Sequence, residues 1–317
     1  MQRIVLVGAL CLISFSGWAS NIHDDAGTTG AAFLKIDGGS RPAGMGGAFV
    51  GLANDINTIF SNPAGLTAVQ AHELTAMQNF AFADISNQSI GYAQREGNLV
   101  WGASFLGAFT EIERRIGPSD NPDSTVNVGG FAAGLSLAYP LSRKISVGAT
   151  AKAISQQLDL QNSFGGAIDI GAVWRALDNR LGVGITAQNL GMLDESEALP
   201  RSIRAGFAYH VHTPSIQAEN VPPKNLLSIV ADIDVPMIAA YPTLHIGVEN
   251  WFYDLIAVRI GYSIGKGENP NNGVTVGIGI RRKGEDSLEG IRFQFDYALV
   301  PDADVGNAHR LAFITRF

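Results

Sequence analysis

Charge is scarce in this sequence. Only 16% of the 317 residues are Asp, Glu, Lys or Arg, against about 25% in an ordinary soluble domain. Cysteine is nearly absent. The one copy, Cys11, lies close to the N-terminus, so the rest of the chain is indifferent to an oxidising compartment. Residues Gly8-Ala9-Leu10 before it do not form a lipoprotein cleavage box. Long apolar runs are missing beyond the first residues, which excludes helical membrane spans. Basic surplus is missing too. The net charge is −7, or −8 once Arg3 is removed, and no run of like charges appears, so nucleic acid is not an expected partner. Little charge without membrane helices leaves a closed β-barrel as the membrane solution. The 37 glycines suit strands and tight turns.

The first residues read as an export signal over 1–19. Arg3 supplies the positive start, Ile4 to Phe15 the apolar stretch, and Gly17-Trp18-Ala19 the small-residue cleavage site. Residues 20–71 are rich in Gly, Ala and Asn and lack sustained alternation.

From about residue 72 the pattern has period 2, which puts successive side chains on opposite faces of a strand. Val274, Val276, Ile278 and Ile280 share one face, and Thr275, Gly277, Gly279 and Arg281 the other. Ile168, Ile170, Ala172 and Trp174 likewise oppose Asp169, Gly171, Val173 and Arg175. A soluble sandwich would put more Lys and Glu on its polar faces. Here Gly, Ser and Thr prevail, as in the lumen of a barrel. The pattern predicts strands at 72–82, 86–95, 98–109, 128–139, 144–155, 165–175, 180–190, 202–212, 225–235, 242–252, 255–265, 273–282, 289–299 and 307–317. That is fourteen, the even number a bacterial outer-membrane barrel requires.

With both ends in the periplasm, long outward loops fall at 110–127, 156–164, 191–201 and 266–272, and short inward turns at 96–97, 140–143, 176–179 and 253–254. The 213–224 connection, with three prolines, is long but should face inward. Trp101, Trp174 and Trp251 each lie near an inward turn, like a belt of rings at a membrane interface, although Trp251 falls on the lumen parity and Phe252 on the lipid parity. The chain ends with Leu311, Phe313 and Phe317 in alternation, resembling a barrel-targeting last strand that pairs with the first and leaves no lipid-exposed edge.

Gly44-Met45-Gly46-Gly47 and the following Asn62-Pro63-Ala64-Gly65-Leu66, together with the Gly30 to Ile36 start, resemble the PorV/PorQ family of the FadL-like outer-membrane transporters. The resemblance covers nearly the whole exported chain. It implies an all-β protein: a single antiparallel transmembrane barrel of about fourteen strands over 72–317, with residues 20–71 folded into the lumen as a plug. Asn62, Pro63, Ala64, Gly65 and Leu66 would sit in that plug, as structural elements or ligand contacts.

No catalytic constellation or nucleotide fingerprint emerges, and no cofactor or metal is expected. His210 and His212 share a face without acidic or cysteine partners nearby, a poor metal site. The candidate lumen residues are Lys152, Asp169, Asp232, Asp234, His245, Glu249, Arg259, Arg281, Arg292 and Asp296. Both signs occur, which points to an ion-pair network holding the plug more than to an ion filter. His245 and Glu249 also share this parity and could form a pair with a proton or substrate role.

Three functions follow. One is a carrier of hydrophobic small molecules, including long-chain fatty acids, with Met237-Ile238-Ala239-Ala240 as an apolar landing patch. Another, implied by PorV, is type IX secretion, with secreted proteins docking on the 110–127 loop. The third is a structural or narrow porin barrel. Outer-membrane lipid and the barrel-assembly machinery are partners in every case.

Overall fold

The structure is a computed structural model. It describes residues 27–81, 85–115, 117, 121–194, 197–213, 225–238, 241–265, 273–281, 291–302 and 306–317. The export segment, the prolines of the 213–224 connection and the 266–272 loop lie outside the described residues. No helix among those residues is long and apolar enough to cross a membrane.

Fourteen antiparallel strands close into one barrel, each hydrogen-bonded to its sequence neighbours, with the last strand returning to the first. They are β1 (His72–Phe80), β2 (Ser86–Glu96), β3 (Leu99–Arg114), β4 (Ser124–Pro140), β5 (Ile145–Leu158), β6 (Gln161–Ala176), β7 (Leu181–Leu193), β8 (Ser202–Thr213), β9 (Asn225–Pro236), β10 (Thr243–Phe252), β11 (Ile256–Gly265), β12 (Gly273–Arg281), β13 (Arg292–Asp302) and β14 (Gly306–Arg316). Closure runs in register from Glu73 opposite Arg316 to Phe80 opposite His309. Phe317 adds a backbone exchange with His72 and stacks on its ring at 5.2 Å. No edge is left open, as a strand in lipid demands.

Alternation decides which side each residue faces. On β11, Val258 and Ile260 are 51% and 54% exposed, while Arg259 between them is 1% exposed. The outer surface is therefore aliphatic and aromatic, and the polar parity points in. Leu311 and Phe313 belong to the outer face, where Phe313 lies against the rings of Phe293 and Phe295.

One expectation about the rims is corrected. The loop foreseen at 156–164 is mostly strand, and the one at 110–127 is half strand. β3 and β4 continue to Arg114 and Ser124, and β5 and β6 meet at a tight turn through Asp159 and Leu160. Alternation there is weakened by Thr, Asn, Gln and Ser, so the sequence reads as loop. Pairing continues because backbone hydrogen bonds do not depend on side-chain polarity. With 14 to 17 residues each, β3–β6 outreach the 9 or 10 of β10–β12. At about 3.4 Å per residue the extra 4 to 8 residues add roughly 14–27 Å along the tilted strands, so these strands project as a wall at the rim opposite His72 and Phe317, here termed the upper rim.

The tryptophans divide as parity implies. Trp174 lies on the outer face at 42% exposed, but Trp251 points inward and is 2% exposed. Arg281 lies over its ring at 3.8 Å and Arg259 at 5.4 Å.

Candidate functional site

The interior is filled by the chain before β1. Residues Thr29 to Val69 are largely buried and make short helical turns: η1 (Ala32–Lys35), α1 (Ser40–Ala43), η2 (Ile56–Phe60) and η3 (Pro63–Ala68). Local chemistry sets their ends. The Asp55 carboxylate accepts from the Asn57 backbone N–H at the start of η2. Asn62 caps η3 through Ala64 N–H, with Pro63 in the first turn, where its missing N–H costs nothing. Gly46 and Gly47 turn the chain with φ of 67° and 87°, a conformation strained for other residues.

Inward glycines of the strands receive this segment. A Cβ on Gly148 would lie 2.5 Å from the carbonyl carbon of Pro63, and one on Gly247 2.6 Å from the Met45 oxygen. Cβ atoms on Gly184 and Gly261 would overlap the Val50 oxygen and the Gly46 nitrogen. These glycines pair across strands: Gly148 with Gly171, Gly184 with Gly206, Gly247 with Gly261. Their role is to let backbone approach backbone, where the sequence pattern suggested a wet lumen.

The Asn62-Pro63-Ala64-Gly65-Leu66 motif lies against the inner faces of β4, β5 and β6. Asn62 Nδ2 points to the carbonyls of Val50, Ala172 and Ile185 at 3.2–3.5 Å, and its Oδ1 accepts from Ala64 N. Leu66 joins Ile56, Ile59, Val69, Ala93, Val100, Ala138 and Ile314 in an apolar cluster near the rim of His72. A Cβ on Gly65 would meet Thr58 and Ala53. All these bonds of the Asn62 side chain go to protein backbone.

The named charges form three groups. The first centres on Glu249, which is fully buried. Its Oε1 accepts from Arg41 Nη2 at 2.6 Å, and its Oε2 from Arg41 Nε at 2.8 Å and Arg259 Nε at 2.7 Å. Arg259 continues to Asp296 at 2.7 Å, and Arg41 also reaches Asp55 at 2.6 Å. Burial works against the Arg41 charge, but Glu249 and Asp55 together hold its proton more firmly than usual. Towards the His72 rim, Arg316 pairs with Glu73, whose other oxygen accepts from Ile56 N, and Arg281 pairs with Asp254.

The second group lies nearer the upper rim. Asp232 Oδ2 accepts from the backbone N–H of Phe49 and Val50 at 2.6 and 2.7 Å. Arg204 donates to the Gly47 carbonyl at 2.7 Å and lies 3.7–4.0 Å from Asp232, Asp37 and Asp234. His245 Nδ1 bonds to the Gly46 carbonyl at 2.6 Å, so it carries the proton there. His245 and Glu249 thus hold different parts of the segment and do not form the pair foreseen from parity.

The third group is on the other side of the barrel. Lys152 pairs with Asp169 at 2.6 Å and donates to Asn189, whose N–H donates to Asp169. It sits at a register shift in the β6–β7 pairing, between Ile168 and Ile170. Arg292, by contrast, is exposed at the start of β13 and takes part in none of these groups. Among the described residues no His/Cys/Asp/Glu group has metal-binding geometry.

Arg41, Asp55, Glu73 and Arg316 were not singled out from sequence. Arg41 lies outside any strand, so parity says nothing of it. Its one signal is a lone charge beside Pro42 within a Gly/Ala-rich stretch.

Above the segment, the projecting parts of β3–β5 carry four aliphatic side chains on their inner face, interspersed with Thr110 and Gln156. Ile112 pairs with Val126 and Val128 with Leu158, on the parity of buried Ala132 and Ile154. Ile112 and Leu158 are 51% and 45% exposed. Below them Leu34, Ile36, Leu106 and Ala108 pack on a cluster around Phe33.

Residues 17–167 match the model of the family described as Uncharacterised protein family (UPF0164). Two UPF0164 proteins of Treponema pallidum (strain Nichols) are each 27% identical. One aligns over 200 residues, 59% of this chain and 61% of its own, and the other over 170, 49% and 42%. The chain therefore spans less than two thirds of the curated relatives it matches. Among solved structures, the CymD monoaromatic hydrocarbon channel is 13% identical with a TM-score of 0.59, covering 88% of this chain and 97% of its own. The toluene transporter TbuX of Ralstonia pickettii is 13% identical at 0.56 (90% and 100% covered), and TodX of P. putida 11% at 0.55 (89% and 99%). The likeness is one of fold, a closed barrel of the hydrocarbon-channel type. These neighbours are channels and transporters rather than enzymes.

Proposed function

We propose that this chain is an exported outer-membrane channel that captures hydrophobic small molecules at its upper rim, with residues 20–71 as the plug of the 72–317 barrel. The observation that carries the reading is the pair of exposed inward side chains Ile112 and Leu158, with half-buried Val126 and Val128 between them, above that segment. Aliphatic side chains facing an open mouth, rather than lipid or a protein core, mark a ligand-binding surface. The aliphatic outer belt supports the membrane setting, and the fold shared with hydrocarbon channels supports the class of solute. Export by the 1–19 signal and assembly by the barrel machinery through Leu311, Phe313 and Phe317 complete the reading. The test is toluene or fatty-acid uptake by cells carrying the wild type or Ile112→Lys/Leu158→Lys. Uptake should fall several-fold in the variant at equal barrel abundance. Equal uptake sinks the proposal.

A secretion role of PorV/PorQ type draws on one observation. The β3–β4 hairpin raises Glu111, Glu113 and Arg114 on a rigid wall, a platform on which a secreted protein could dock. Co-purification with secretion components that is lost on trimming 110–127 supports that role, and its persistence after trimming counts against it.

A further inference from the structure

We propose that the barrel holds a second permeation route, polar in character, along the β14–β1–β2 wall beside the N-terminal segment, for water and small uncharged polar solutes. This goes beyond the hydrophobic capture proposed above and uses a different part of the interior.

Register lays out the wall row by row. Asn79 of β1 stands between Asn87 of β2 and Arg310 of β14 in the row nearest the upper rim. Below it Met77 stands between Ser89 and Ala312, then Thr75 between Gly91 and Ile314, and finally Glu73 between Ala93 and Arg316. A polar group thus occurs in every row, broken by the methionine and the isoleucine. Across from this wall stand α1 and η2, with Ser40 and Asn57.

Among the described residues, unpartnered buried polar atoms are most numerous here, with four others on the opposite wall at Arg204, Asp232, Asp234 and Arg259. Eleven buried side-chain atoms among the described residues lack a partner, and six belong to this seam: Ser40 Oγ, Asn57 Oδ1, Thr75 Oγ1, Asn79 Oδ1, Asn87 Oδ1 and Arg310 Nε. Asn79 and Asn87 are each 2% exposed and Thr75 is 0%. The Arg310 guanidinium makes one hydrogen bond, to the Asp37 carbonyl at 3.4 Å, and no ion pair among the described residues. Besides the Arg310 bond, two others span the seam: the Ser89 hydroxyl donates to the Gly38 carbonyl at 2.6 Å, and the Ile56 N–H donates to Glu73 at 3.1 Å. On the far wall the segment is fastened by Asp232 to two backbone N–H groups, by Arg204 and His245 to Gly47 and Gly46, and by Glu249 to Arg41.

Buried polar atoms without partners are costly, and contact with water removes that cost. Withdrawal of the segment from the upper part of this wall by the width of a water molecule hydrates these atoms at the cost of the Ser89 and Arg310 bonds, while the anchors on β8–β10 and the apolar cluster of Ile56, Ile59, Ala93 and Ile314 near the His72 rim stay made. Local opening follows the weakest contacts, so the seam opens first. The route so formed is lined by amides, hydroxyls and a guanidinium, which suits polar solutes and repels hydrocarbons.

Single cysteines at Thr75, Asn79 and Asn87 test this, in the full chain carrying Cys11→Ser, reconstituted in liposomes and treated with a small polar methanethiosulfonate. Thr150→Cys and Thr186→Cys, inward-facing and hydrogen-bonded on the opposite side, are the references. The seam cysteines should react about tenfold faster, a difference in opening free energy of about 1.4 kcal/mol. Equal rates overturn the proposal. A second measurement stands apart from the cysteine variants. Wild-type liposomes should admit arabinose, and Asn79→Leu/Asn87→Leu should slow its entry several-fold with toluene uptake unchanged. Liposomes closed to arabinose, or entry unaffected by the leucines, also overturn it. Loss of toluene uptake alone, with arabinose entry kept, would count against the capture surface and not against this route.

Discussion

Arg41 and Glu249 meet in a two-pronged pair, Nε to Oε2 at 2.8 Å and Nη2 to Oε1 at 2.6 Å, across 208 residues of sequence. Neither is exposed to more than a trace of solvent. The pair ties a four-residue helix of the N-terminal segment to the middle of β10, and Arg259 and Asp55 complete it. Removing one member leaves a charge buried without its counterpart, which costs about 3–5 kcal/mol.

Glu249→Gln should therefore loosen the segment from the barrel. Limited trypsin digestion of the reconstituted protein should cleave before residue 72 sooner than in wild type, with the barrel intact. Arg41→Met/Glu249→Met, which removes both charges, should be milder than either single change by more than 1 kcal/mol or so. Additive effects in that double-mutant cycle would contradict the pairing.

Inward glycines should tolerate no side chain where the segment touches them. Gly184→Ala and Gly261→Ala put a Cβ into the Val50 carbonyl and the Gly46 nitrogen, and overpacking of this kind costs about 1–3 kcal/mol. Gly166→Ala, whose Cβ would find only the Lys152 oxygen at 3.4 Å, should be close to neutral. Thermal unfolding in detergent separates the two classes. Similar midpoints for all three would refute backbone packing.

Asn62→Ala should destabilise the segment by about 1–3 kcal/mol, because it strands backbone groups of Val50, Ala172 and Ile185 and removes the cap of η3. Asn62→Asp should be no better, since its carboxylate would face three carbonyl oxygens. Hydrogen exchange over 50–66 reads the loss. Unchanged protection would show that the motif is no staple.

Lipid contact on the outer face makes a depth-dependent prediction. Ile260→Arg, in mid-strand on β11, should reduce folding into vesicles by about 2–4 kcal/mol. Leu177→Arg, in the β6–β7 turn and 60% exposed, should change it little. Equal effects would argue against a membrane band at β11.

Alternation from residue 72 onward was enough to establish fourteen strands, their closure and the direction each side chain points. Period 2 is a local property: once a strand has one apolar face, its neighbour's register must bring like faces together. Val258, Arg259 and Ile260 are legible one residue at a time for that reason. Strand ends in β3–β6 were not, because beyond the apolar band no constraint on side chains remains, only backbone pairing. The interior also escaped the sequence. Parity shows that Glu249 points inward, but not that Arg41, from a segment with no periodicity, arrives to meet it. It lists Gly184 and Gly261 as small lumen residues without revealing the backbone that needs their space. It places Trp251 inside without the two guanidiniums beside its ring. Those partners are chosen by three-dimensional closure, which brings a folded-in chain against every strand at once, and only the tertiary structure decides which side it holds firmly and which it leaves unsatisfied.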